Sequence, residues 1–89
     1  MGRRARDPAE PETYNRLAVL RAERGLSRQE LAVAVGVHPQ TVGYLERGEY
    51  APSLVLALRI ARFFELPVEA AFSLDPMPAL SAALYGREE

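Results

Sequence analysis

Leu26-Ser27-Arg28-Gln29-Glu30-Leu31-Ala32, running on through Val35-Gly36-Val37-His38-Pro39 to Leu45-Glu46-Arg47-Gly48, is the stretch whose reading decides the fold. Ser27 and Glu30 spell a capping box, in which the Ser hydroxyl accepts a backbone N–H three residues on and the Glu carboxylate reaches back to the cap. Leu26 precedes the cap and can staple onto Leu31, so a helix is expected to start at Arg28. Gly36 ends it after about eight residues by offering a positive φ. Leu31, Ala32 and Val35 form its apolar side, where Ala32 is small enough to admit a closely crossing neighbour. Pro39 suits the first position of a second helix and forces His38 into the extended backbone of an N-cap. Val37 staples to Val42, Leu45 continues the buried side, and Gly48 closes the helix. At about 100° per residue, Gln40, Tyr44 and Arg47 point away from Val42 and Leu45.

Outward from this core, the same signals repeat. Tyr14, Leu17 and Leu20, continued by Arg21 and Arg24 and closed by Gly25, predict a helix beginning near Thr13. Pro52 and Ser53 open an apolar helix over Leu54 to Phe64, with Ala57, Ile60, Ala61 and Phe64 on one side and Arg59 and Arg62 on the wet side. Pro67 to Phe72 reads as a short fifth helix and Ser73 to Pro78 as an extended turn, since Pro76 and Pro78 exclude helix. Leu80 and Leu84, followed by Tyr85 and Gly86, predict a last helical turn or two. Residues 1–12 carry Gly2, Pro8, Pro11 and charges of both signs with no apolar period, and are expected to be a disordered arm. The expected organisation is therefore an arm at 1–12, an all-α domain at 13–72 and a C-terminal extension at 73–89.

Eighty-nine residues leave room for one small domain, which buries only about 60% of its unfolded-chain surface. With 48% hydrophobic and 26% charged residues the chain should fold rather than stay disordered. It has no Cys and one His, which excludes a disulfide framework, a thiolate nucleophile and a Cys-based zinc site, and argues against a His-rich metal site. No nucleophile, acid/base pair or phosphate loop stands at a motif spacing, so no enzyme, cofactor or metal is expected. No apolar run approaches the ~18 residues of a membrane span. Arg3, Arg4 and Arg6 are followed by Asp7, Pro8 and Glu10 in place of an apolar signal stretch, so no membrane partner and a cytoplasmic location are expected. The net charge of −1 hides an asymmetry. Between Tyr14 and Phe64 seven arginines face four glutamates, a surplus of three positive charges, whereas the acidic side groups from Glu65 onward exceed Arg87 by four.

Two short helices joined by a glycine turn, the first with a small residue at its crossing and the second with polar side chains outward, make a helix-turn-helix. The residues from Tyr14 to about Phe72 resemble the XRE family of Cro and phage-repressor-type helix-turn-helix proteins. The resemblance is carried by Leu26-Ser27-Arg28-Gln29-Glu30-Leu31-Ala32, Val35-Gly36-Val37, Gln40-Thr41-Val42, Leu45-Glu46-Arg47-Gly48 and Pro52-Ser53-Leu54, in the family's order and spacing. It implies a compact five-helix, lambda-repressor-like domain, usually a homodimer on a pseudo-palindromic operator, with its third helix in the major groove of double-stranded DNA. It also implies that His38, Gln40, Thr41 and Tyr44 touch bases or adjacent phosphates, that Arg28 and Gln29 lie beside the DNA backbone, and that Arg21 pairs with Glu46.

Chemistry supports those roles. Gln40 can pair bidentately with adenine, and Tyr44 offers a hydroxyl and ring contact to a thymine methyl; Arg47 faces outward with them. Three departures from the family pattern matter. Arg28 stands where Gln is common, so a direct phosphate pair is expected to replace the usual contact between helices two and three. Glu49 stands where Lys is common, and His38 where Ser or Thr caps better. Gly43 costs up to about 1 kcal/mol relative to Ala inside a helix and reads either as room for close DNA approach or as tolerance. His38 reads either as a solvent-facing cap or as a DNA contact. The arginines of the arm read as a solvated tail in preference to a minor-groove arm.

Leu56, Phe63, Phe72, Leu74, Leu80 and Leu84 exceed what a 60-residue helical core covers, and are expected at a two-fold interface. The expected function is a sequence-specific DNA-binding transcriptional regulator, a repressor. The alternative is an antitoxin or protein-bridging module whose main partner is another protein.

Overall fold

The computed structural model describes residues 11–77. In chain order these form β1 (Tyr14–Asn15), α1 (Leu17–Glu23), α2 (Arg28–Val35), α3 (Pro39–Glu46), α4 (Leu54–Phe64), α5 (Val68–Ala71) and β2 (Phe72–Ser73). Helices dominate, and local capping chemistry sets most of their ends. Ser27 Oγ accepts from the Glu30 N–H at 3.0 Å while Glu30 Oε1 accepts from the Ser27 N–H at 2.8 Å, so both halves of the capping box start α2. Gly36 ends it at φ +80°. His38 takes extended backbone and its Nδ1 accepts from the Gln40 N–H at 3.0 Å, starting α3 behind Pro39. Ser53 Oγ caps α4 through the Leu56 N–H at 3.1 Å. Glu65 ends α4 at φ +60°, a left-handed backbone that a non-glycine residue adopts at a cost of about 1 kcal/mol or more.

The N-terminus of the domain differs from the sequence expectation. The first helix starts at Leu17, not near Thr13, because Asn15 takes a different set of bonds. Its Oδ1 accepts from the Leu17 N–H at 3.0 Å, the first amide of α1, and its Nδ2 donates to the Leu45 carbonyl at 2.7 Å. Tyr14 and Asn15 pair antiparallel with Ser73 and Phe72, respectively. The fifth helix is correspondingly shorter than expected. It is a single turn ending at Ala71, and Phe72 is extended at the start of β2.

Leu17, Leu31, Val42, Leu45 and Ile60 lie at the centre of the core, with Leu20, Ala32, Val35, Leu56, Phe64 and Ala71 around them. Fully buried Ala32 sits on α2 within this cluster, and α2 and α3 pack more extensively on each other than any other pair of elements. Helix α3 is thus braced from behind, with its outer side left open.

Three side chains expected at a two-fold interface point elsewhere. Leu56 is a core residue, 8% exposed, because it falls on the same side of α4 as Ile60. Phe63 is half-buried, packed edge-on to Phe64 with ring centroids 5.0 Å apart. The Arg24 guanidinium lies 5.8 Å from the Phe63 centroid and 5.2 Å from that of Phe64, and donates to the Phe63 and Phe64 carbonyls at 3.3 and 3.0 Å. A cation just past the end of α1 therefore covers the aromatic end of α4. Phe72 is half-buried against the core from β2. Leu74 is 80% exposed. Leu80, Leu84, Tyr85, Gly86 and the arginines of the arm lie outside the described residues.

The candidate nucleic-acid interface

The outer side of α3 is built from residues that the core does not use. Val42 and Leu45 are fully buried, so the 100° step per residue leaves Gln40, Tyr44 and Arg47 exposed on the opposite side. Tyr44 stands as a ridge between two open depressions. One, of about 320 Å³, is lined by Arg28, Pro39, Gln40, Gly43, Tyr44 and Arg47. The other, of about 350 Å³, is lined by Thr41, Tyr44, Glu49 and Tyr50. Five residues expected to meet DNA, Arg28, Gln40, Thr41, Tyr44 and Arg47, thus share one continuous surface. Gln29 and His38 are exposed but line neither depression, and the His38 ring is occupied at Nδ1 as the cap of α3.

The charges on this surface are ordered from beneath. Glu46 is 3% exposed, and its Oε2 accepts from Arg21 Nε at 2.7 Å while its Oε1 accepts from Arg28 Nε at 3.0 Å. Arg21 also donates through Nη1 to the Leu26 carbonyl at 2.9 Å, tying the α1–α2 loop to the same cluster. The hydrogen bond to Glu46 holds the Arg21 guanidinium above its ordinary pKa, outweighing the opposing effect of burial. One carboxylate against two guanidinium groups leaves a net positive charge.

Arg28 departs from the expected replacement of the contact between helices two and three. It keeps that contact, in ionic form, through Nε. An arginine has five N–H donors, so its two terminal NH₂ groups stay available at the rim of the first depression, where the side chain is 50% exposed. Arg47 lies over the Tyr44 ring at 5.3 Å, with its Nε 3.3 Å from Glu49 Oε2. Both members of that pair face solvent, so it is worth little by itself. Glu49 accordingly offsets part of the positive charge beside α3. Tyr50 was not singled out in the sequence; its position two residues beyond Gly48, in the loop leaving α3, is the signal that places it at this edge.

What the arrangement offers is donors. Among the described residues no group of three or more His, Asp or Glu could hold a metal ion, and no helix is long and apolar enough to cross a membrane.

The profile of the helix-turn-helix family matches residues 17–70, from the start of α1 into α5. The chain belongs to the XRE-type helix-turn-helix family. This helix-turn-helix chain is 44% identical over 61 residues to YgzD, an uncharacterized HTH-type transcriptional regulator of Bacillus subtilis, covering 68% of this chain and 92% of that one. It is 45% identical over 60 residues to an uncharacterized HTH-type transcriptional regulator of Archaeoglobus fulgidus, covering 67% and 86%. Among solved structures it is similar to the restriction-modification controller protein C.AhdI from Aeromonas hydrophila, at a TM-score of 0.57 and 35% identity over 61% of this chain and 82% of that one. The five-helix arrangement is the lambda-repressor-like helix-turn-helix fold, to which β1 and β2 add a two-stranded clasp.

Proposed function

We propose that this protein is a transcriptional regulator that binds double-stranded DNA with α3 in the major groove, as a homodimer on a pseudo-palindromic operator, and acts as a repressor in the cytoplasm. The observation that carries the reading is the outer side of α3. Gln40 and Tyr44 stand one turn apart with no core role, between arginines at 28 and 47, which suits base reading flanked by phosphate contacts. Relatives named as transcriptional regulators support it. Arg28, Arg47, Gln29 and the His38 position hold the backbone in this reading, and Gln40, Thr41 and Tyr44 read the bases.

The DNA-binding unit is residues 13–72. The second copy covers an apolar strip on α4, where Leu54 is 73% exposed beside exposed Val55 and Leu58, together with Leu74. The extension at 73–89, with Leu80 and Leu84, enlarges that interface. Selection of bound sequences from a random DNA pool tests binding, half-site and spacing together. Recovery of a two-fold symmetric consensus is the expected result. A chain that enriches no sequence, and runs as a monomer, would favour the antitoxin or protein-bridging reading, with the α4 strip gripping another protein.

A further inference from the structure

Gly43 occupies the middle of α3 with ordinary helical backbone, since the left-handed glycines of the described residues are Gly25, Gly36 and Gly48. Nothing in its own conformation calls for glycine, and helix propensity argues against it. The reason lies in its neighbour. A Cβ at this position would stand 3.2 Å from Arg47 Nη1 and 3.8 Å from Arg47 Cζ and Nη2, and these are the nearest atoms it would meet. That guanidinium borders the space that the missing side chain leaves.

We propose that Gly43 is a positioning residue for DNA binding: its bare backbone lets the Arg47 guanidinium lie against α3, where it is set to meet DNA. The inference rests on the reading of α3 as the DNA-reading helix. Arg47 lies beside three groups, the bare side of Gly43, the Tyr44 ring at 5.3 Å and Glu49 Oε2 at 3.3 Å. It shares the first depression with Arg28 and Gln40. An arginine placed before binding loses less rotamer freedom when it engages a phosphate or base. A Cβ at position 43 makes the guanidinium give way by a few tenths of an ångström, which loosens its seat between the helix and the ring before DNA is met.

The test is a double-mutant cycle on an operator selected from the random pool, using the full chain as wild type, Gly43→Ala, Arg47→Ala, the double variant and Gln40→Ala. Gly43→Ala is expected to leave the thermal midpoint at or above the wild-type value, as alanine favours helix, yet to weaken operator binding about three- to tenfold. In the Arg47→Ala background the same substitution is expected to change affinity less than about twofold. Wild-type affinity for Gly43→Ala would overturn the inference, and so would an equal loss in both backgrounds, which would mean that the methyl crowds the DNA itself. Gln40→Ala separates the two readings. If it weakens binding while Gly43→Ala does not, this inference alone falls; if it too leaves binding intact, α3 is not the reading helix and both fall.

Discussion

Arg21 of α1 holds Glu46 of α3 by two hydrogen bonds, from Nε to Oε2 at 2.7 Å and from Nη2 to Oε1 at 3.3 Å, and the carboxylate is 3% exposed. The same carboxylate accepts from Arg28 of α2, so one buried acid joins α1, α2 and α3. Because the Arg21 pKa is raised in the fold, its contribution is fully present below the unfolded arginine value and is lost only as pH rises through the higher folded one. Across the neutral range the stabilisation from Arg21 is therefore independent of pH.

Removing Arg21 leaves the buried carboxylate with only the half-exposed Arg28. Arg21→Ala should cost about 3 kcal/mol, the low end of the range for breaking a buried pair, since Arg28 stays in place. Arg28→Ala should cost under about 1 kcal/mol, as its side chain is half in water. Urea denaturation of both variants checks the order; equal losses would contradict the asymmetry of burial.

His38 caps α3 through a ring nitrogen instead of a hydroxyl. His38→Ala should destabilise the fold by about 1 kcal/mol, while His38→Asn, which supplies another cap acceptor, should keep most of the wild-type stability. Thermal unfolding decides this. If His38→Ala unfolds at the wild-type temperature, the cap contributes nothing and the residue is kept for the surface alone.

Gln40 and Arg28 should fail in different ways. Gln40→Ala should cost about 1 to 3 kcal/mol on the selected operator and relax preference at one base pair. Arg28→Ala should weaken binding to all sequences and reduce the log-log salt slope by about 1, as expected for one lost phosphate contact. Titrations at several salt concentrations on specific and scrambled DNA measure both quantities, and identical slopes for the two variants would remove the phosphate role of Arg28.

Leu58 lies exposed on α4, one turn from Leu54. Leu58→Glu should leave the fold intact, shift the protein from dimer to monomer in sedimentation, and weaken operator binding by lowering the dimer concentration. A variant that stays dimeric would place the second copy on another surface.

Helix limits were largely legible because caps are local. The Ser27–Glu30 box, the His38–Pro39 start, the Ser53 cap and Gly36 all act within four residues of chain. The exposure of Gln40, Tyr44 and Arg47 follows from the helical repeat with Val42 and Leu45 buried. What stayed hidden depends on contacts across the fold. Tyr14 and Leu17 stand at helical spacing, and only the distant Phe72–Ser73 segment, with Leu45, draws Tyr14 and Asn15 out of the helix. Phe63 looks like a partner surface until Arg24, 39 residues away, is seen to cover it. The exposure of Leu54, Val55 and Leu58 in place of Leu56 is not legible either, because an apolar stripe on α4 does not itself say which of its edges meets the core.

The pairing of Tyr14–Asn15 with Phe72–Ser73 also settles how the domain is tethered. Chain that precedes β1 and chain that follows β2 leave from paired positions, Tyr14 and Ser73, so both flanks depart from the same edge of the domain. Asn15 ties this ladder to the Leu45 carbonyl at 2.7 Å, so that point of departure is fixed to α3 itself. The clasp thereby gives anything joined to either flank one common point of attachment beside α3.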